Sequence, residues 1–382
     1  MRAKYLSPFL WLFFLSNVAC SQAYLRLDTT DLLHSIQREQ SQGDKLYNKG
    51  VFKSERYMLS GNHAHQDNNI FFTALSVYTL QDLRDSFSPD HLTIANEICE
   101  NAIAAYPFYR SRNMDPTFNY WRVRPETPMP GSIWQNTNRA RLPDDMDDSS
   151  LILLTGTHSD SLKHAFRTLM SEYTNHRQVS VKSIFKRYQD YPAYLTWFAD
   201  KLKQDMDICV LANVLLFVED EGFTLNHHDS ASAQLIATMV QNNDHINHPE
   251  IISPYYENTA IIIHTLARLL SHSSNTVLLS LREQLIHDAL AMLPTTENRM
   301  EQILLITSIY QLQGSTKARV NLSKIEESFD GFSYFYTNPF HGSHIFWKRL
   351  IGKSKFLQLH ARSHGFYYTL VLEYLMTVPP SE

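Results

Sequence analysis

Glycine and cysteine are scarce in this chain of 382 residues, which contains 11 glycines and three cysteines. Sustained alternation of apolar and polar residues, the pattern of half-buried strands, is also missing, and apolar patterns of helix length recur instead. So few cysteines exclude a disulfide-stapled scaffold. The spacing of Cys99 and Cys209 leaves open whether these two residues pair.

Long apolar runs free of charge are absent beyond the N-terminus, so we expect no transmembrane segment in the mature chain. The formal net charge is −5, and it becomes −7 (−5 − 2) without Arg2 and Lys4. This mildly acidic balance argues against nucleic acid as a partner. Motifs for a nucleophilic serine, a phosphate loop or a dinucleotide are also absent.

The first 23 residues have the features of a bacterial export signal. Arg2 and Lys4 precede an apolar run over residues 5–15, and small and polar residues follow as far as Ala23. A basic start, a short apolar core and small residues before the cleavage point are typical of a signal peptide. We therefore predict cleavage after Ala23 and export to the periplasm or the medium, with a lipid anchor on Cys20 as the alternative.

Residues 24–66 are polar and are interpreted as an N-terminal helical arm, and residues 67–382 as a single helical domain. Apolar periodicity in this domain predicts helices. The predicted helices cover residues 69–84, 89–106, 161–173, 181–188, 192–203, 208–219, 230–241, 256–271, 276–293, 298–312, 322–329 and 366–378.

Two of these helices are apolar nearly all round, over residues 209–218 and 260–270, with Asn213 the one polar member of the first. A helix that is apolar on every side is buried, whereas an amphipathic helix such as 161–173 lies at a surface. Alternating buried and amphipathic helices predict an all-α fold with an inner ring of helices inside an outer ring.

The sequence Asp144-Asp145-Met146-Asp147-Asp148 follows Pro143 and precedes an apolar segment. Carboxylates this close raise one another's pKa, so such a cluster can keep one carboxyl group protonated as an acid. It can equally bind a divalent metal ion, or be only a charged helix start, because aspartate and serine are favoured capping residues.

Within this run, Asp145-Met146-Asp147-Asp148 has the form Asp-x-Asp-Asp and resembles the acid motif of class II terpene cyclases. The resemblance implies an (α/α)6 toroid, a fold shared with the β subunits of protein prenyltransferases. It also implies that Asp147 is the proton donor and that Asp145 and Asp148 orient and polarise it. The expected ligand is a hydrophobic small molecule or isoprenoid, and the acid itself needs no cofactor.

Protonating an alkene requires a dry cavity whose aromatic rings stabilise the resulting cation. The irregular stretch over residues 107–143, together with the residue before it, supplies candidates for substrate binding. These are Tyr106, Tyr109, Tyr120 and Trp121.

Two metal-based alternatives stay open at this point. The run also satisfies Asp-Asp-x-x-Asp, the motif with which class I enzymes bind Mg²⁺ and a diphosphate, although no second metal motif is found. Asp207-Ile208-Cys209 matches the zinc pair of protein prenyltransferases, but Asn258 stands where their histidine ligand is expected.

Two functional alternatives also stay open. The chain can be a non-catalytic, exported binding or interaction protein, or a glycan hydrolase or lyase, since α/α toroids host both kinds of enzyme. In a glycan enzyme, the aromatic residues would stack on sugar rings.

Overall fold

A computed structural model describes residues 28–58, 64–131, 141–199, 203–337, 342–351 and 358–379. The predicted signal peptide, with Cys20, lies outside the described residues. Within them, no helix combines the length and the apolar character needed to cross a bilayer.

The described residues form fifteen α-helices, so the prediction of a mainly helical chain is confirmed. The helices are α1 (Thr29–Glu39), α2 (Phe71–Asp82), α3 (Pro89–Ile103), α4 (Met146–Thr155), α5 (Asp160–Met170), α6 (Ile208–Asp220), α7 (His227–Gln241), α8 (Asp244–Asn247), α9 (Pro249–Ile252), α10 (Thr259–His272), α11 (Thr276–Leu279), α12 (Arg282–Met292), α13 (Arg299–Gln313), α14 (Ile345–Ile351) and α15 (His364–Thr377).

Six of these helices are buried on most sides and contact one another in a closed cycle. Helix α2 packs on α4, α4 on α6, α6 on α10, α10 on α13, α13 on α15, and α15 on α2 again. In α6, every residue from Ile208 to Val218 is buried, as the apolar pattern predicts for a helix enclosed by others.

Other helices lie outside this cycle, and most of them are buried on one side only. Helix α3 buries Ala95, Ile98, Cys99 and Ala102, which recur at helical spacing and form a single stripe against α2 and α1. Helix α7 packs on α6, α12 on α10 and α13, and α1 on α15.

Four short strands form an antiparallel sheet that joins segments far apart in the chain. They are β1 (Ser54–Met58), β2 (Ala64–Asp67), β3 (Phe335–Thr337) and β4 (Leu359–Arg362), in the spatial order β2-β1-β4-β3. The all-α prediction omits this sheet, because strands of three to five residues are too short to show a clear period of two.

The part of the predicted N-terminal arm that the structure describes shares the core of the helical domain. Leu32, Leu33 and Ile36 of α1 are fully buried, and α1 packs on α15. Strand β1 pairs with β4, with Tyr57 opposite His360.

Two predicted helices are wrong. Residues 181–188 contain only a short 3-10 turn, Lys186–Tyr188, and the described part of 192–203 is an irregular, partly extended loop. Ala193, Tyr194 and Leu195 in this loop are fully buried, so their apolar character reflects tertiary packing and not a helical stripe. A third predicted helix, 322–329, is reduced to the 3-10 helix Ile325–Ser328.

Candidate active site at the start of helix α4

The segment that leads into α4 lies between two other extended segments. The N–H of Asp145 donates to the carbonyl of Phe118 at 3.3 Å, and the N–H of Phe198 donates to the carbonyl of Asp144 at 2.9 Å. Asp145 is paired with Phe118 on one side and with Trp197 on the other. Successive side chains of an extended segment point to opposite faces, so Asp144 and Asp145 point in opposite directions.

Asp144 lies on the outer face of this segment. Its carboxylate accepts hydrogen bonds from the Thr117 hydroxyl at 2.7 Å and the Asn119 amide at 3.1 Å. It lines a surface cleft of about 370 Å³ together with Arg112 and Tyr173. The structure therefore separates Asp144 from the other three aspartates of the run.

Asp145 caps α4, because its carboxylate accepts the backbone N–H of Asp148 at 2.7 Å. Both side chains are buried. Burial raises the pKa of Asp145 to about 8, and the negative charge of Asp147 adds to this effect. Burial and the neighbouring charge of Asp145 hold the pKa of Asp148 well above its ordinary range. The Asp145–Asp148 pair therefore keeps a proton at neutral pH.

Asp147 directly precedes Asp148 in α4 but has a different environment. One carboxylate oxygen accepts from the Asn213 amide at 2.6 Å, and the other accepts from the Tyr256 hydroxyl. Burial raises the pKa of Asp147 to about 6, while these two donors and the charge of Arg268 oppose the rise. Asp147 is therefore mostly ionised at neutral pH, in contrast to the pair beside it.

Asn213 connects Asp147 to a buried arginine. The carbonyl oxygen of the Asn213 side chain accepts from the guanidinium group of Arg268, which also lies 5.3 Å from the ring centre of Tyr78. Among the described residues, no carboxylate lies within ion-pair distance of Arg268. The charges of Glu373 and Asp147 nevertheless help to hold its pKa above its ordinary value.

Helix α15 supplies a second buried carboxylate to the interior. Glu373 accepts hydrogen bonds from His264 Nε2 at 3.1 Å and from the Gln311 amide at 3.0 Å. Sequence analysis identifies neither Arg268 nor Glu373 as a site residue. A charged residue within an otherwise apolar, buried helix is the signal that would have found them.

The predicted substrate-binding aromatics fall into two groups. Tyr120 and Trp121 both donate to the carboxylate of Asp67, at 3.2 Å and 2.7 Å. The Tyr120 ring stacks on Phe335 with centres 5.4 Å apart, and Phe335 lies 5.8 Å from Tyr256, the donor to Asp147. The rings of Phe335 and Tyr256 therefore connect Tyr120 to Asp147.

The other two aromatics make different contacts. Tyr106 hydrogen-bonds Thr155 at 2.8 Å, which is the last residue of α4 and lies at the opposite end of that helix from Asp145. Tyr109 donates to the carbonyl of Asn68 at 2.8 Å. In these positions both residues serve the packing of the core.

The possible zinc pair acts as a helix cap in this structure. Asp207 accepts from the Cys209 N–H at 2.8 Å, the Ser253 hydroxyl at 2.9 Å and the Tyr255 N–H at 3.0 Å. Cys99 and Cys209 are buried free thiols. Across the ranges that the structure describes, no three His, Cys, Asp or Glu side chains converge as metal ligands, and Asp144 points away from Asp145.

No protein-family model matches this chain, and no curated protein sequence matches it significantly. The chemistry of the site therefore has to be argued from its own residues.

Proposed function

We propose that the six buried helices are the inner ring of an (α/α)6 toroid. Helices α2, α4, α6, α10, α13 and α15 contact in chain order and close on themselves. Helices α3, α5, α7 and α12 each fall between consecutive inner helices along the chain. Helix α1 packs on α15 and serves as a fifth outer helix. This arrangement supports the fold that the motif resemblance implies.

We propose further that the toroid carries an acid–base catalyst at the start of α4. The observation that supports it is the contrast within three residues: the Asp145–Asp148 pair keeps a proton, and Asp147 is ionised. Neighbouring carboxyl groups with pKa values pushed apart can act as acid and base at the same pH. In this proposal the pair donates the proton and Asp147 is the base, whereas the motif resemblance gives the acid role to Asp147.

A polar, sugar-like substrate suits the surroundings of Asp147 best. Asn213, Arg268 and Glu373 follow Asp147 into the interior, and burying such groups against a hydrocarbon without hydrogen bonds is costly. Sugar hydroxyls can hydrogen-bond these groups, and aromatic rings such as Tyr120 and Trp121 can stack on sugar rings. The function supported best is therefore that of a glycan hydrolase or lyase, acting outside the cytoplasm if the predicted signal peptide directs export.

Terpenoid cyclisation is the second candidate. It is favoured by the Asp-x-Asp-Asp order at a helix start and by the aromatic rings near Asp147. The ring centres of Tyr256 and Phe335 are 5.8 Å apart, and the ring centre of Phe71 lies 5.7 Å from each of them. Such rings can stabilise a carbocation. An isoprenoid would then be the hydrophobic ligand, with protonation by the same aspartates as the first step.

The two candidates are separated by assaying the purified chain against a panel of oligosaccharides and a panel of isoprenoids. We expect glycan cleavage, and a fall of at least ~10²-fold in kcat for Asp145→Asn and Asp148→Asn, the lower range for a positioned acid. Asp147→Asn should cause a comparable loss. Asp160→Asn, at an exposed position at the start of α5, is the matched control and should retain activity.

Isoprenoid turnover without glycan cleavage would move the assignment to the second candidate. Turnover of neither panel, with Asp147→Asn as inert as the parent chain, would indicate a non-catalytic binding protein on the same fold.

A further inference from the structure

Helices α10 and α13 carry several buried polar atoms that have no hydrogen-bond partner within the described part of the chain. Four of them are His264 Nδ1, Arg268 Nε, Thr307 Oγ1 and Gln311 Oε1. A buried polar atom without a partner costs free energy, and native proteins leave few such atoms. Four of them on two adjacent helices suggest a group that the protein alone does not supply.

These residues belong to one region, which we name the deep polar cluster and which also includes Glu373. His264 and Arg268 are four residues apart on α10, and Thr307 and Gln311 are four residues apart on α13, so each pair shares a helix face. Helices α10 and α13 pack together. Glu373 accepts from both His264 and Gln311, which brings the two faces to one point.

A small amount of accessible surface remains within and beside this cluster. Tyr78 keeps 8 % of its surface accessible, Glu373 5 % and Arg268 4 %, whereas their apolar neighbours on α10, such as Ile263 and Ala267, are fully buried. The Asn213 amide links Arg268 to Asp147, so the cluster adjoins the proposed catalytic residues.

The partners that these atoms need can be deduced one by one. A carboxylate such as Glu373 only accepts, so His264 donates to it through Nε2 and leaves Nδ1 free for a further hydrogen bond. By the same logic Gln311 donates its amide N–H to Glu373 and presents its oxygen as an acceptor. Arg268 Nε is a donor, and Thr307 can donate and accept. The cluster therefore needs donors and acceptors together.

We propose that the deep polar cluster is a subsite for a neutral, hydroxyl-bearing ring of the substrate, such as a hexose unit. Each hydroxyl group both donates and accepts, and so matches the mixed set. An oxyanion has no proton for Gln311 Oε1, and an ammonium group has no lone pair for Arg268 Nε. This inference rests on the proposed glycan-directed function and selects neutral over charged glycans.

The test is binding of cellotriose and maltotriose by isothermal titration calorimetry, with trigalacturonate and a protonated chitosan trimer as the charged probes. Thr307→Val removes the hydroxyl with almost no change of shape. It should weaken binding of the neutral trisaccharide roughly tenfold, the equivalent of one hydrogen bond, without lowering Tm. Thr307→Ser, which keeps the hydroxyl, should restore most of the affinity.

Thr369→Val is the matched control. Thr369 is fully buried on inner helix α15, but its hydroxyl already donates to the carbonyl of Gly365 at 2.9 Å. This variant should bind the trisaccharide like the parent chain. It shows what loss of a buried hydroxyl does when that hydroxyl has its own partner.

The possible outcomes separate this inference from the proposed function. Equal binding by Thr307→Val and the parent chain would overturn the subsite and leave glycan chemistry intact, with water as the partner of these atoms. Tighter binding of a charged probe than of the neutral trisaccharides would also overturn it. Failure of the parent chain to bind or cleave any glycan would overturn the proposed function itself.

Discussion

Three neighbouring aspartates have different pKa values because their surroundings in the folded chain differ, although their sequence context is nearly the same. Asp145 and Asp148 are buried against each other, and Asp147 is held by donors from two other segments. Like charges in a buried site favour the protonated form, and hydrogen-bond donors favour the ionised form. The protonation state of each carboxyl group is thus set by packing and not by residue type.

This difference predicts how stability depends on pH. The folded pKa of Asp145 is about 8, above the ordinary value of 3.8, so between these values the folded state binds more protons than the unfolded state. The free energy of unfolding therefore falls as pH rises from about 4 to about 8. Asp145→Asn removes this proton and should flatten the decline by up to about 1.4 kcal/mol per pH unit. Urea denaturation at several pH values measures it.

Asparagine also caps helices well, so Asp145→Asn should keep the bond from the Asp148 N–H. Asp144→Asn removes one negative charge from the same run on its outer face and serves as the control. An unchanged pH slope in Asp145→Asn would show that Asp145 does not hold the proton.

At this scale, sequence analysis locates the aspartates but not their partners. The run is visible because four acids are adjacent, and Asn213 is noticeable as the one polar residue in an apolar helix. Tyr256 is 109 residues from Asp147, and no local pattern links the two. Arg268 and Glu373 meet the site only through helix packing, which a single sequence does not encode in its local spacing.

At the scale of elements, four of the six inner helices begin with an aspartate or asparagine whose side chain accepts backbone N–H groups. These caps are Asp145, Asp207, Asn258 and Asn298. The first four N–H groups of a helix have no partner within it, and buried helix starts need such caps. The same residues place an acidic or amide group at the start of these four helices.

Asp207 should be the most costly of these caps to lose. It accepts from the Cys209 and Tyr255 backbone and from the Ser253 hydroxyl, so Asp207→Ala leaves several buried donors unpaired. Part of the loss is offset, because burial raises the pKa of Asp207 to about 7 and charging it is unfavourable. We expect a loss of about 2–4 kcal/mol in the free energy of unfolding, measured by urea denaturation.

Ser159→Ala is the comparison, since Ser159 caps the outer helix α5 at an exposed position and accepts only one backbone N–H, that of Leu162. Its loss should cost about 0.5–1 kcal/mol. Asp207→Asn keeps the oxygen that accepts from Cys209 and Ser253 and should fall between the two. Equal losses for Asp207→Ala and Ser159→Ala would contradict this account of the inner caps.

Elements were predictable where a helix is long and periodic. Helices α2, α3, α6, α10 and α13 lie within or close to their predicted ranges. The misassigned loop over residues 192–199 is apolar because it is buried between other segments, and local pattern alone does not distinguish this case from a short helix. The strands escape prediction because each has only three to five residues, and β1 and β4 also pair with segments that are distant in sequence.

At the scale of the whole molecule, the two ends of the described chain are joined by contacts that lie outside the cycle of buried helices. Helix α1 packs on α15, and β1 pairs with β4. No contact between neighbouring segments can replace either of these two contacts. We therefore expect α1, α15, β1 and β4 to unfold together.

Ile36→Ala tests this closure. Ile36 is fully buried on α1, and its truncation should cost about 2–5 kcal/mol. Amide hydrogen exchange should speed up in α15, β1 and β4 as well as in α1, with a smaller change in α6 and α7. Faster exchange confined to α1 would show that α1 is a separable arm.

The pairing of β1 with β4 also sets when the protein can finish folding. Glu55 and Arg362 are paired at the centre of one small sheet, so almost the whole chain must be synthesised before that sheet is complete. Contacts between residues so distant in sequence form slowly, because the entropy cost of closing a long loop comes before any stabilising contact forms. During synthesis, the nascent chain therefore lacks the pairing of β1 with β4. A protein destined to cross a membrane unfolded would gain from that delay.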